Sequence, residues 1–454
     1  MEATIEDRPW DTLRDLALAG DRRALETLLE ELPASEAVRA LLRLDPEDQH
    51  RLLTTLNPSD AAELIEEVPD QQAADMVERL PAAEAASILQ ELQSDDQADL
   101  IGDIQKEEAE AILAEMAPQA AEDVRRLVEY DPKSAGGVMM TEVFAFDDSA
   151  TVRDVLQQLT SDAADLEKYR GQHPYVVSAS RELLGVVSLR SLLLSRREAP
   201  LTAIMASPLV VLPETTLDEL EDFFDEHDFL GVPVVDETNA LLGVVSRTAV
   251  AEAALERADA DQLKIQGIVG DELRSMPTLL RARRRLSWLS INILLNIVAA
   301  SVIALYEETL AAMIALAVFL PIVSDMSGCS GNQAVAVSLR ELTLGIAKPV
   351  DLVRVWLKEV GVGVINGLAL GLLLACAAWL WKGNPYLGLV VGGALATNTV
   401  IAVSIGGTVP LLLKRFGVDP AVASGPILTT VTDMVGFFLV LSFAAALMPL
   451  LAGG

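Results

Sequence analysis

From Leu286 to Tyr306 the chain runs for 21 residues without a charged side chain. A helix of that length covers about 30 Å, the thickness of the hydrocarbon layer of a bilayer. Further apolar stretches lie near 310–338, 360–381, 386–413 and 421–451. In lipid, each backbone N–H and C=O must find its partner inside the protein. Five such stretches therefore predict five membrane-spanning helices, and the remaining half of the chain must fold in water.

The charges divide the same way. Eight acids and seven bases lie from Leu286 onward, so residues 1–285 carry −32 of the formal net charge of −33. An acidic excess of that size argues against nucleic acid as a partner and favours cations. Basic residues flank the spans unevenly. Arg281, Arg283, Arg284 and Arg285 precede the first span. Arg340, Lys348, Arg354 and Lys358 separate the second from the third, and Lys414 and Arg415 the fourth from the fifth. Basic loops stay in the cytosol. This predicts a multi-pass protein of the plasma (inner) membrane, with cytosolic N-terminal domains and the C-terminus outside. The start, MEATIEDRPW, is polar and does not read as a signal peptide. Cys329 and Cys376 lie in apolar surroundings and imply no disulfide framework.

The acidic half contains two repeats. From Pro69, blocks of twelve read PDQQAADMVERL, PAAEAASILQEL, QSDDQADLIGDI, QKEEAEAILAEM and APQAAEDVRRLV. Apolar residues recur at Leu80, Leu92, Ile104, Met116 and Val128, with a second apolar pair in the middle of each of the first four blocks. Each block holds one short helix, and such units bury their faces only by stacking. Residues 1–130 thus form an acidic α-helical superhelix. Next, LLGVVS occurs at 183–188 and again at 241–246. A Met-containing start, an apolar strand, a helix and a β-rich run precede each copy, giving β-α-β-β-α twice over 137–256. This order resembles a tandem pair of CBS domains, modules that sense nucleotides or ions. The carboxylate that would hold a ribose is replaced by Ser191 and Ala249, which argues against tight ATP binding. Residues 257–280 read as a connecting helix, and 281–454 as the membrane domain. The fold class is multidomain: α, then α/β, then membrane.

Two carboxylates fall inside predicted spans, Asp325 and Asp433. A charge at the bilayer centre costs at least ~2.5–3.5 kcal/mol, so such residues mark function by default. Pro321 and the run SDMSGCSGNQ (324–333) predict a broken second span with freed carbonyls. In the last span, residues four apart share a face, so Gly425, Thr429 and Asp433 line up. Gly361, Gly363, Gly367 and Gly371 form a small-residue stripe suited to close helix packing. The donors are oxygens: one carboxylate, hydroxyls, amides and carbonyls. All three histidines (His50, His173 and His227) lie in the acidic half. Such ligands suit Mg²⁺, Ca²⁺ or Mn²⁺ rather than Zn²⁺ or Cu⁺. One Asp433 per chain, doubled in a homodimer, suits a largely hydrated Mg²⁺.

The order of helical repeats, CBS pair, connecting helix and five apolar spans resembles the MgtE family of magnesium transporters. Pro321 with Gly331-Asn332-Gln333 is similar to the family's second-helix signature, and GVDPA (417–421) with Pro426–Asp433 to its fifth-helix pore region. The resemblance implies a homodimer, a Mg²⁺ pore between subunits, a cytosolic Mg²⁺ sensor and a connecting "plug" helix. It places Asp433 on pore Mg²⁺ through the hydration shell, Thr429 and Gly425 nearer the cytosol, and Asp419 at the inner mouth, with Asn332 in the signature. Asp95 and Asp99 match acids that help close the sensor. The chain departs from the family at Cys329 and Gly425, where an asparagine is common. It departs also at Ser246-Arg247-Thr248, where paired acids are common. Glu214, Asp218, Glu226, Glu252, Glu256, Asp259 and Asp261 remain nearby.

The function these readings imply is a Mg²⁺ channel or transporter, with Mg²⁺ both cargo and regulator. Acidic faces repel when Mg²⁺ is scarce, and bound Mg²⁺ closes the gate. The alternatives are a membrane-anchored cation sensor or scaffold without transport, a Mn²⁺ or Co²⁺ transporter of the same architecture, and a carrier exchanging ions. No nucleophile–base pair, P-loop or His/Cys metal cluster occurs, so enzyme activity is not expected.

Overall fold

The computed structural model describes residues 8–160, 169, 172–268, 272 and 276–452. It divides into two compact units, residues 1–257 and 258–454.

The first unit opens with ten short helices, α1 (Pro9–Ala19) to α10 (Pro118–Val128). Prolines punctuate them: Pro9, Pro46, Pro58 and Pro118 stand at first-turn positions, where a missing N–H costs nothing. From α3 (Ala34–Leu41) onward each helix packs on the one two places further along, up to α8 (Ser94–Asp103) against α10. Leu80, Leu92, Ile104 and Met116 are buried, as the twelve-residue period requires. In the last block the period slips. Val128 is 41% exposed and Leu127 takes the buried place, because α10 continues through the twelfth position of its block, where α6 (Asp70–Val77) and α7 (Ala82–Leu89) have already ended.

The two β-rich copies follow. β1 (Ala145–Asp147) pairs in parallel with β2 (Tyr175–Val177), and β2 antiparallel with β3 (Leu183–Val186). In the second copy β4 (Gly231–Val235) pairs antiparallel with β5 (Leu241–Ser246). Its expected leading strand is reduced to Val211, bridged to Val234. Pro208 and Pro213 flank that segment and supply no N–H to extend the ladder. The copies interlock. Met140 pairs with Val244 of β5, and Ala206 with Val186 of β3. A Cβ on Gly243 would stand 2.6 Å from the Met140 carbonyl, and one on Gly185 2.5 Å from the Met205 sulfur. The glycine of each repeated hexapeptide therefore admits the methionine segment that opens the other copy.

The connecting helix spans Arg247–Ile265, so it begins inside the second copy and stops short of residue 280. Gly267, at φ +78°, ends it. Gly267 N donates to Lys264 O at 2.8 Å and Ile268 N to Leu263 O at 3.1 Å, the paired bonds of a Schellman turn.

The second unit has five long helices: Thr278–Leu305, Leu316–Thr343, Leu352–Lys382, Pro385–Arg415 and Pro420–Ala446. Among the described residues, the first, third, fourth and fifth are long and apolar enough to cross a bilayer by themselves. The second has 28 residues, the length needed, but carries a polar stripe. The fourth packs against the second, third and fifth. The expected break in the second helix does not occur. It runs unbroken through Pro321 and SDMSGCSGNQ. The Ser327 and Ser330 hydroxyls bond back to carbonyls three or four residues earlier. The small residues admit neighbouring helices instead: a Cβ on Gly406 would stand 2.2 Å from the Gly331 carbonyl. Gly363, Gly367 and Gly371 pack on the fourth helix in the same way, while nothing lies within 4 Å of a Cβ on Gly361.

Candidate cation sites in the two units

In the second unit the fifth helix starts at Asp419, whose carboxylate accepts from Ala421 N at 2.9 Å and caps the first turn. Gly425, Thr429 and Asp433 follow at four-residue steps, as expected. Gly425 and Thr429 line a cavity of about 410 Å³ together with Asn332 and Val335 of the second helix and Trp288 and Asn292 of the first. Ile265 and Gln266, at the end of the connecting helix, complete it. A Cβ on Gly425 would lie 3.8 Å from the Ile265 carbonyl. Trp288 packs edge-on against Gly267, where a Cβ would fall 1.9 Å from the indole nitrogen.

Asp433 lies one turn beyond Thr429 and is half-buried. Its Oδ1 accepts a hydrogen bond from the Ser324 hydroxyl of the second helix. The sequence offers no sign of that partner, because 109 residues separate the two. Asp325, next to Ser324, is exposed. With Cys329, Asn332 and Gln333, all exposed, it forms a polar stripe along one face of the second helix. Both cysteines are free.

Asp419 is not an open ligand at the inner mouth. Lys264 Nζ lies 3.2 Å from its Oδ2 and 3.0 Å from Asp261 Oδ1. Burial alone would lower the Lys264 pKa, but the two carboxylates outweigh it and raise the ammonium above its ordinary value.

In the first unit, Asp95 is buried on α8 and Asp99 stands one turn on. The protein packed around the Asp99 carboxyl, and then the charges of Asp70, Asp95, Glu256 and Asp103, push its pKa up to about 7. By surface area Asp99 is an exposed residue, so water screens much of this repulsion. Asp99 and Glu256 lie within electrostatic reach of each other. Asp218 instead pairs with Arg257. Glu214, Glu226 and Asp259 are exposed. Among the described residues of one chain, no three His, Cys, Asp or Glu side chains converge closely enough to hold a metal ion.

Arg247, at the departure from the family pattern, has a structural task. Its guanidinium donates to the carbonyls of Phe224, His227 and Phe229 and lies 5.3 Å over the Phe224 ring. It ties down the end of the helix Leu217–Glu226. Ser191 and Ala249, at the sites of the missing ribose carboxylates, close local turns with Ser188 and Ser246.

Three family models match in succession. The MgtE intracellular N domain covers residues 32–133, the CBS domain 135–198 and 201–256, and the MgtE divalent cation transporter 320–443. Magnesium transporter MgtE of Bacillus subtilis (strain 168) is 31% identical over 329 residues, 71% of this chain and 71% of that protein. Its namesake in Thermus thermophilus is 34% identical over 335 residues, 73% and 74% of the two. Among solved structures, the soluble part of a magnesium transporter superposes with a TM-score of 0.50 at 22% identity. It covers 56% of this chain and 99% of that one, and this shows the likeness of the soluble fold.

Proposed function

The chain belongs to the MgtE family, and from that premise we propose that it passes Mg²⁺ into the cytosol through a pore between two copies of itself. The polar stripe Asp325, Cys329, Asn332 and Gln333 carries this reading. These side chains are exposed in one chain, on a helix of spanning length. A charged group facing lipid costs at least ~2.5–3.5 kcal/mol. A second copy packed on that face removes the stripe from lipid and turns it toward a shared aqueous path.

The donors along that path suit a hydrated ion. Asp433, Thr429, Asn332 and the Gly425 backbone offer oxygens from one carboxylate, a hydroxyl, an amide and a carbonyl. Six water molecules occupy about 180 Å³ in the liquid, so the cavity of about 410 Å³ has room for Mg²⁺ with its first shell intact. Mg²⁺ gives up that shell reluctantly and binds through one or two carboxylates plus retained water. Cys329 on the stripe gives a softer donor and favours Co²⁺ as a second reading, while the oxygen donors suit Mn²⁺ as well as Mg²⁺.

Gating belongs to the same proposal. Asp70, Asp95, Asp103 and Glu256 all act electrostatically on Asp99, although no three of these side chains converge on one point among the described residues. Two like charges about 4 Å apart cost roughly 4 kcal/mol at an effective dielectric near 20. Swinging a gate from 1:99 to 99:1 takes about 5.5 kcal/mol, which a few bridging cations supply. Ile265 and Gln266 then close the cavity when Mg²⁺ is plentiful. Asp433→Asn tests conduction in reconstituted full-length protein, with Mg²⁺, Mn²⁺, Ca²⁺ and Co²⁺ compared. Loss of uptake by tenfold or more is expected. Uptake at the wild-type rate would remove Asp433 from the pore, and no flux of any ion through the wild type would favour the sensor or scaffold.

A further inference from the structure

Asn398, near the middle of the fourth helix, closes a ring of hydrogen bonds around the pore carboxylate. It is fully buried, 0% exposed. Its Nδ2 donates to Ser327 Oγ of the second helix at 2.5 Å and to the Thr432 carbonyl of the fifth at 3.0 Å. Ser327 Oγ donates in turn to the Ser324 carbonyl at 2.9 Å, sharing its proton with Val323 O at 2.8 Å. The Ser324 hydroxyl donates to Asp433 Oδ1, and Asp433 directly follows Thr432. The ring therefore leaves the carboxylate, passes through two serines and one amide, and returns to the preceding residue of the same helix. A second observation supports it. A Cβ on Gly436 would stand 2.8 Å from Asn398 Nδ2, so the fifth helix is notched where the amide enters.

From this geometry we infer that Asn398 is the positioning residue of the pore. It fixes the spacing and rotation of the second and fifth helices, so that Ser324 holds one Asp433 oxygen. Oδ2 receives no hydrogen bond among the described residues, which leaves it to meet the water shell of a divalent cation. A buried carboxamide is expensive in an apolar bundle unless it is hydrogen-bonded; both Nδ2 protons have acceptors on the helices that matter, while Oδ1 is buried without a hydrogen-bond partner. An ion that keeps its waters is recognised by where its shell meets fixed acceptors. Loosening the ring should therefore change selectivity as well as rate. The inference rests on the pore reading of Asp433.

The test compares uptake of Mg²⁺ and Ca²⁺ by full-length wild type, Asn398→Ala, Ser327→Ala, Gly436→Ala, Asn398→Ala/Gly436→Ala and Asp433→Asn in liposomes, with melting temperatures alongside. Loss of the groups that orient a metal ligand typically costs 10–100-fold. The ligand here acts through water, so about a tenfold loss of Mg²⁺ uptake is expected from Asn398→Ala, with a smaller Mg²⁺:Ca²⁺ ratio. Ser327→Ala should do the same more mildly. Gly436→Ala should mimic them by displacing the amide, and should add nothing to Asn398→Ala, where no amide remains to displace. Wild-type rate and ratio in a normally melting Asn398→Ala would overturn the inference, as would full additivity with Gly436→Ala. Should Asn398→Ala not fold, Ser327→Ala decides, because it leaves the amide and its Thr432 bond in place. Wild-type uptake by Asp433→Asn would sink the pore reading. Impaired Asp433→Asn with unaffected ring variants would sink this inference alone.

Discussion

Replacing Lys264 by methionine removes, among the described residues, the cation that ties the end of the connecting helix to the fifth helix. The ammonium lies 3.0 Å from Asp261 and 3.2 Å from Asp419, but these contacts differ in kind. Asp261 sits three residues away on the same helix and travels with Lys264 when the helix moves. Only the Asp419 contact distinguishes a seated helix from a displaced one. Unit charges about 3 Å apart attract by roughly 5 kcal/mol at an effective dielectric near 20, before desolvation and screening. Net values for exposed pairs are ~0.2–1 kcal/mol. Lys264 is 19% exposed and Asp419 43%, which puts this pair near the upper end, about 1 kcal/mol. That is about a fivefold change in the ratio of closed to open gates. The assay is Mg²⁺ uptake as a function of Mg²⁺ on the cytosolic side. Lys264→Met should leave up to about fivefold more residual uptake at closing Mg²⁺, and Lys264→Arg should behave like wild type. Asp419→Asn keeps the helix cap and loses only the charge, so it should match Lys264→Met, and the double variant should be no more open than either single one. Closure curves that superimpose for Lys264→Met and wild type would refute the latch.

Two further outcomes follow from the packing and the acids. Gly406→Ala drives a Cβ to 2.2 Å from the Gly331 carbonyl, and overpacking of that kind costs ~1–3 kcal/mol. Its melting temperature in detergent should fall clearly, whereas Gly361→Ala, with nothing within 4 Å, should be neutral or slightly stabilising. The Asp99 pKa, raised from 3.8 to about 7, sets a pH dependence. Protonation relieves its repulsion with Asp70, Asp95, Asp103 and Glu256, so the crowded arrangement is favoured as pH falls below about 7 and disfavoured as pH rises through it. Without divalent ions, tryptic cleavage at Arg257 and Lys264 should rise between pH 6 and 8. Saturating Mg²⁺ or Asp99→Asn should flatten that rise, and an unchanged slope in Asp99→Asn would assign the titration elsewhere.

Much of this was legible along the chain. The period of twelve placed Leu80, Leu92, Ile104 and Met116 inside, because a short helix between punctuating residues has one way to stack. It failed at Val128, where a longer helix moved the buried position to Leu127. The repeated LLGVVS located two strands, but not that each glycine admits the other copy's methionines. The run SDMSGCSGNQ read as a break, since glycine, proline and serine weaken isolated helices. Inside a bundle the same residues are where helices come closest, and the serines satisfy themselves on their own backbone. Arg247 stood out only as a departure from the family's paired acids, and nothing along the chain marked Lys264. One holds three carbonyls, and the other occupies the carboxylate expected at the inner mouth.

The sequence by itself determined which stretches are apolar, that two sets of repeats precede them, and which oxygen donors lie along the segments around Asp433. Those are local properties: the burial free energy of a stretch and the need of its own backbone for partners. The tertiary structure decided who holds whom. Ser324 and Asp433 are 109 residues apart, and Lys264 and Asp419 are 155 apart. Whether such groups meet at hydrogen-bond distance depends on how the helices cross and on which glycines let them approach. A hydrogen bond weakens steeply over a fraction of an ångström, and no pattern along the chain carries distance at that precision.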